Sequence, residues 1–301
     1  MRHKAWRWLG SVLGTAVLLL VVHRLYLYRQ DLQFSWRDVS WPMLALSSGL
    51  FLCAQMLFGF SWHRLLADHG GATSLRGDFS RWCVTLAGKY LPGKVWQGLA
   101  RIGLYHRLQR KGVVAPAFLR EMLLSISAAL TLVAVHALLD AGAPEHLGVS
   151  MSLAALLLLL VAMPPVGRWL LEMVGPYSRF SDFGSGGSYA GLLWVWMLQV
   201  GAYVLLGLGF VALAGSLMEL PPSLILPGIA ALCFAGVAGI AAFIVPAGIG
   251  VREAALVWYL SPFIGPGPAA LLAIAARVWL TVGELFLVAL GLWLMRNKSS
   301  A

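Results

Sequence analysis

The chain has 301 residues, of which 60 % are hydrophobic and only 11 % are charged, and its mean hydropathy is +0.81. Soluble globular domains carry about 25 % charged residues, so that class is excluded. The formal net charge of +10 resides in basic residues beside apolar segments, which favours membrane orientation and anionic headgroups over nucleic acid.

Arg2, Lys4 and Arg7 precede an apolar run that ends in His23-Arg24 without a small-x-small cleavage site. That pattern predicts an uncleaved first helix over 8–28 rather than a signal peptide. A second helix is predicted over 43–66, then a broken element over 77–108 and a helix over 118–139. The second half repeats the order, with helices over 147–164 and 189–214, a broken element over 224–263 and a helix over 268–295. Mostly apolar runs of roughly 18 or more residues read as membrane spans.

Shifting the first half until Pro92 falls on Pro246 lays 43–66 near 189–214 and 118–139 inside 268–295; 8–28 maps less well onto 147–164. The chain therefore reads as one transmembrane domain of two repeats, 1–140 and 147–301. This similarity lies in hydropathy and break positions, not in residue identity.

Loop charges orient the repeats. Lys89, Lys94, Arg101, Arg107, Arg110, Lys111 and Arg120 lie in one stretch without an acid and predict a cytoplasmic face. The loops containing Asp140 and Glu145, and Glu219, hold no base and predict the outer face. Both termini then lie in the cytoplasm if there are six full crossings and each broken element is a re-entrant hairpin. An odd number of crossings per repeat inverts the second repeat relative to the first, as in alternating-access transporters. The competing count has one or both elements spanning, up to eight crossings, and 224–245 is long enough to do so.

The breaks carry the chemistry. The first reads Gly88-Lys89-Tyr90-Leu91-Pro92-Gly93-Lys94. Pro92 suits the first turn of a helix, so the arm beginning at Gly93 directs free N–H groups and Lys94 toward an anion. Lys94, Gln97, Arg101 and Tyr105 share one face of that arm and suit a phosphate-bearing headgroup in a groove. Arg107, Arg110 and Lys111 read as bases that snorkel to the surface. The second break holds Pro246, Gly248 and Gly250, then Arg252-Glu253. An arginine near a bilayer centre costs roughly 2.5–3.5 kcal/mol, so it requires a partner, a water-filled cavity or a ligand.

Arg277, Thr281 and Glu284 share one face of the last helix. The expected ion pairs are Glu284 with Arg252 and Glu253 with Arg277. Arg120-Glu121 reads equally as an interfacial anchor or a functional pair. His136 is alone in an apolar helix and reads as a packed histidine, and the isolated Cys53, Cys83 and Cys233 read as packing residues. Trp6, Trp8, Trp36, Trp41 and Trp62 read as interfacial anchors. No HExxH, GxSxG, Walker A or paired-cysteine pattern is present, so neither a metal nor another cofactor is expected, and the chemistry reads as transport rather than catalysis.

Lys89-Tyr90-Leu91-Pro92-Gly93-Lys94-Val95-Trp96 with Arg101 resembles the first motif of the lysylphosphatidylglycerol synthase transmembrane domain and its flippase-like relatives. Pro246-Ala247-Gly248-Ile249-Gly250-Val251-Arg252-Glu253-Ala254 with Arg277 resembles its second motif. The resemblance implies a multi-pass protein of the bacterial inner membrane that moves an anionic phospholipid or isoprenoid-linked lipid between leaflets, alone, as a homodimer or beside an envelope-biosynthesis partner. Many relatives carry Gly-Glu where this chain has Val95-Trp96-Gln97, so that acid's role is not carried over. The connection over 164–188 is too short for the synthases' soluble transferase domain. The alternatives to a translocase are a non-transporting subunit and a membrane-embedded transferase of a cell-surface polysaccharide or lipid pathway.

Overall fold

The computed structural model describes residues 39–90, 95–106, 111–140, 145–163, 188–242, 245 and 248–297. The predicted helix over 8–28 lies outside them. The described residues are mostly helical, and no strand occurs among them. In chain order the helices are α1 (Trp41–Asp68), α2 (Leu75–Thr85), α3 (Val95–His106), α4 (Lys111–Leu139), α5 (Glu145–Ala162), α6 (Tyr189–Leu217), α7 (Ile225–Ala241), α8 (Val251–Ile264) and α9 (Pro266–Arg296). Short 3-10 turns, Leu86–Tyr90 and Pro222–Leu224, close α2 and precede α7.

Five stretches are long and apolar enough to cross a membrane: Trp41–Asp68, Val113–Leu139, Tyr189–Leu217, Pro222–Ala241 and Pro266–Arg296. Two of these lengths bear on the crossing count. The first arm of the second broken element reaches spanning length, as the competing count allows, with Pro222–Leu224 extending the apolar run of α7. Conversely, the apolar part of α5, Gly148–Ala162, falls short of spanning length. At 1.5 Å per residue it rises roughly 22 Å, against a hydrocarbon core of roughly 30 Å. The first broken element does split, into the short helices α2 and α3 on either side of 91–94.

The chain forms two compact units, and each draws on both halves of the sequence. Among the described residues, one comprises 39–54, 89–96 and 203–285; the other comprises 55–88, 97–202 and 286–297.

In the first unit, helices approach closely where glycine removes a side chain. A Cβ on Gly207 would fall 2.8 Å from Ile229, and one on Gly283 would fall 2.4 Å from the Phe51 ring. Phe51 meets Trp279 edge-on at 5.3 Å, and Ser47 Oγ donates to the Gly209 carbonyl at 2.7 Å. Small residues and buried hydroxyls of this kind hold membrane helices together, because lipid leaves little hydrophobic drive between them.

In the second unit, α4 packs along α5. Ser127 Oγ donates across to the Ala155 carbonyl at 2.7 Å, and Trp196 Nε1 donates to Ser127 Oγ at 3.2 Å. The hydroxyl thus satisfies its own donor while fixing two neighbours.

Candidate functional site

The first unit gathers charge from both sequence breaks. Lys89, at the end of the 3-10 turn, forms an ion pair with Glu284 on α9. Tyr90 donates its hydroxyl to the other Glu284 oxygen at 2.5 Å, and that hydroxyl lies within hydrogen-bonding reach of Thr281. Arg252 and Arg277 are close enough to Lys89 for their charges to act on it.

Across the second break, Gly248 (φ +64°) and Gly250 (φ +84°) occupy the left-handed region that favours glycine. Gly250 caps α8, and its N–H donates to Glu253 Oε2 at 2.6 Å. This is the reach-back half of a capping box, with the acid at the third helical position. The other carboxylate oxygen faces Arg277 Nε at 3.5 Å. Glu253 is 2 % exposed, so a single buried carboxylate holds the start of α8 and an α9 cation together.

Arg252 has a different environment. Its stem lies across Gly239 of α7, where a Cβ would fall 2.3 Å from Nε and 2.5 Å from Cγ. Its Nε is buried and donates to no acceptor among the described residues. An unpaired buried donor on a charged group is costly. Among the described residues, Lys89, Arg252 and Arg277 thus stand with Glu253 and Glu284, three cations to two carboxylates.

The expected pair Glu253–Arg277 is present. The expected pair Glu284–Arg252 is not; Glu284 takes Lys89 and Tyr90 instead. Residue spacing on one helix carries no information about which cation another segment brings to it. Lys94, Pro92, Gly93 and Pro246 lie outside the described residues.

Arg101 belongs to the second unit, as does Gln97, which is half-buried on α3. Arg101 is fully buried. It pairs with Glu121 on α4, donates from Nε to Thr85 Oγ1 at 3.3 Å, and stacks 4.3 Å from Trp62 and 5.1 Å from Phe118. Trp82 Nε1 donates to the other Glu121 oxygen at 3.1 Å. Trp62 is 0 % exposed, so it is an aromatic wall for Arg101 rather than an interfacial anchor. Arg120 is likewise buried and meets His69, while Glu121 serves Arg101 and Trp82.

A second hub in this unit is Asp78 on α2, which is 0 % exposed. Its carboxylate accepts from the Thr73 hydroxyl (2.6 Å), Thr73 N–H (2.9 Å) and the Tyr105 hydroxyl (2.8 Å), and it lies 2.8 Å from His63 Nδ1. Burial pushes this carboxyl up, but the bonds from Thr73, His63 and Tyr105 together outweigh it and hold the group below the usual carboxylate range. Burial pushes the His69 imidazole down, which suits a neutral ring beside Arg120.

Sequence reasoning did not single out Lys89, Tyr90 or Gly239. The first two stand inside the quoted motif. Gly239 left no local signal, because its role is to clear space for a residue thirteen positions away. Among the described residues no His, Cys, Asp and Glu are grouped as metal ligands. The chain matches no protein-family model, and no curated protein matches it.

Proposed function

We propose that the chain is a lipid translocase of the flippase-like kind it resembles, passing an anionic phosphate-bearing or isoprenoid-linked lipid between the leaflets of a bacterial inner membrane. One observation carries this reading: among the described residues, three cations and two carboxylates meet in one compact unit, and a buried Arg252 Nε has no acceptor there. A guanidinium in apolar surroundings persists where a partner or ligand repays its desolvation, and a phosphate oxygen suits an open arginine donor.

In this reading the two breaks belong to inverted repeats, the second following an arm of spanning length. Lys89 approaches the headgroup from the first break, and Arg252 from the second, while the lipid chains stay in the bilayer. Both termini are cytoplasmic. The headgroup moves unchanged, so no catalytic residue is required.

Mass spectrometry of lipids that co-purify with the protein tests the reading. Anionic lipids should be enriched over their share of the source membrane, and Arg252→Ala should reduce that enrichment at least fivefold. Co-purified lipid that mirrors the bulk membrane would overturn the assignment.

A further inference from the structure

Glu284 stands where the charge of a ligand is expected. It is 5 % exposed, and its two oxygens take the cation Lys89 and the Tyr90 hydroxyl. A phosphate headgroup seeks that same pair of donors. We propose that Glu284 is an internal stand-in for the headgroup and sets its selectivity, yielding to a lipid phosphate monoester and not to a phosphodiester lipid. This rests on the translocase reading and names its substrate class.

The other groups of the cluster explain the discrimination. Both oxygens of Glu253 are engaged, one by the Gly250 N–H and one by Arg277, so that carboxylate is tied into the α8 cap. Arg252 Nε has no acceptor to lose among the described residues. A phosphodiester carries one negative charge, which Arg252 can neutralise without disturbing its neighbours. A phosphate monoester carries roughly 1.5–2 negative charges near neutral pH, so it needs a second cation.

Lys89 is that cation, because its charge and that of Arg252 already act on one another. A dianion outcompetes a monoanionic carboxylate for Lys89, and the difference is larger where the dielectric is low. Tyr90 can transfer its hydrogen bond from Glu284 to a phosphate oxygen. Arg277, two turns before Glu284 on the same face of α9, remains to share the charge of the displaced carboxylate. Glu284 thus requires a ligand to bring more charge than Glu284 itself supplies.

The test is binding of dihexanoyl phosphatidic acid and dihexanoyl phosphatidylglycerol to the full-length protein in zwitterionic detergent at pH 8, with dihexanoyl phosphatidylcholine as baseline. The two anionic probes share their chains and differ in headgroup charge. Wild type should prefer the monoester at least tenfold. Glu284→Gln should bind phosphatidylglycerol about tenfold more tightly and shrink the preference below threefold. Tyr90→Phe removes one of the two contacts that hold Glu284 and should shrink the preference about threefold, which decides the matter if Glu284→Gln does not fold. Equal wild-type affinity for the two anionic probes overturns this inference alone, as does proportionate weakening of both by Glu284→Gln. Binding of neither above the phosphatidylcholine baseline overturns the translocase reading and this inference with it.

Discussion

Glu253 grips the start of α8 with one oxygen and Arg277 of α9 with the other. A cap and an ion pair therefore share one carboxylate, and removing it breaks both. Breaking a buried ion pair costs up to about 3–5 kcal/mol, an upper bound here because Arg277 is only half-buried, and a lost N-terminal cap costs about 1 kcal/mol. Glu253→Ala should lower the unfolding free energy by about 3–5 kcal/mol in denaturant titration. Glu253→Gln keeps an oxygen for the Gly250 N–H and should cost about 1 kcal/mol less. Equal losses for the two variants would show that the charge alone dominates and the cap contributes nothing.

Gly239 clears the path of the Arg252 stem. A methyl group there collides with Cγ and Cδ as well as Nε, so the side chain has to leave its seat. Gly239→Ala should weaken anionic lipid binding at least tenfold while shifting the melting temperature by only a few degrees. Unchanged lipid binding would place the functional position of Arg252 elsewhere.

Arg101 combines a buried ion pair with aromatic faces on Trp62 and Phe118. Arg101→Lys keeps the charge but loses the planar stacking, which is worth roughly 2 kcal/mol when desolvated. The expected result is a loss of about that size in unfolding free energy, with anionic-over-zwitterionic lipid preference unchanged. A selective loss of anionic lipid binding would make Arg101 a ligand contact.

Two groups outside the spanning segments set the acid limit of stability. His69 is depressed in the fold, so the unfolded chain takes up its proton first; stability starts to fall as pH drops below about 6.5. Asp78 is also depressed, and its contribution is fully present above the ordinary carboxylate value of about 3.9. That contribution is lost as pH falls from there through its folded value. Thermal melts against pH should show both declines. His69→Gln should flatten the upper one and Asp78→Asn the lower. Insensitivity of wild type between pH 7 and 5 would contradict the role given to His69.

The all-helical class can be read along the chain, since long apolar runs with few charges form helices of spanning length. The Glu253 cap was also readable, as an acid three residues after a glycine at the head of a helix. The partners of Glu284 and Arg101 were not. Each is met by residues from distant segments, and hydropathy records that a charge is buried without recording what meets it. Trp62 misled for the same reason: indole suits both an interface and a buried cation. The spanning length of 222–241 agrees with the competing count: Pro222 and Pro227 fit the entry turn and first turn of a continuous helix.

Leaflet-resolved exchange of a fluorescent anionic lipid in proteoliposomes addresses the translocase assignment most directly. Wild type should exchange the lipid well above protein-free vesicles, and Arg252→Ala with Arg277→Ala should reduce that exchange at least tenfold while the double variant still reconstitutes. Exchange at the wild-type rate in the double variant, or none above protein-free vesicles in wild type, would contradict it.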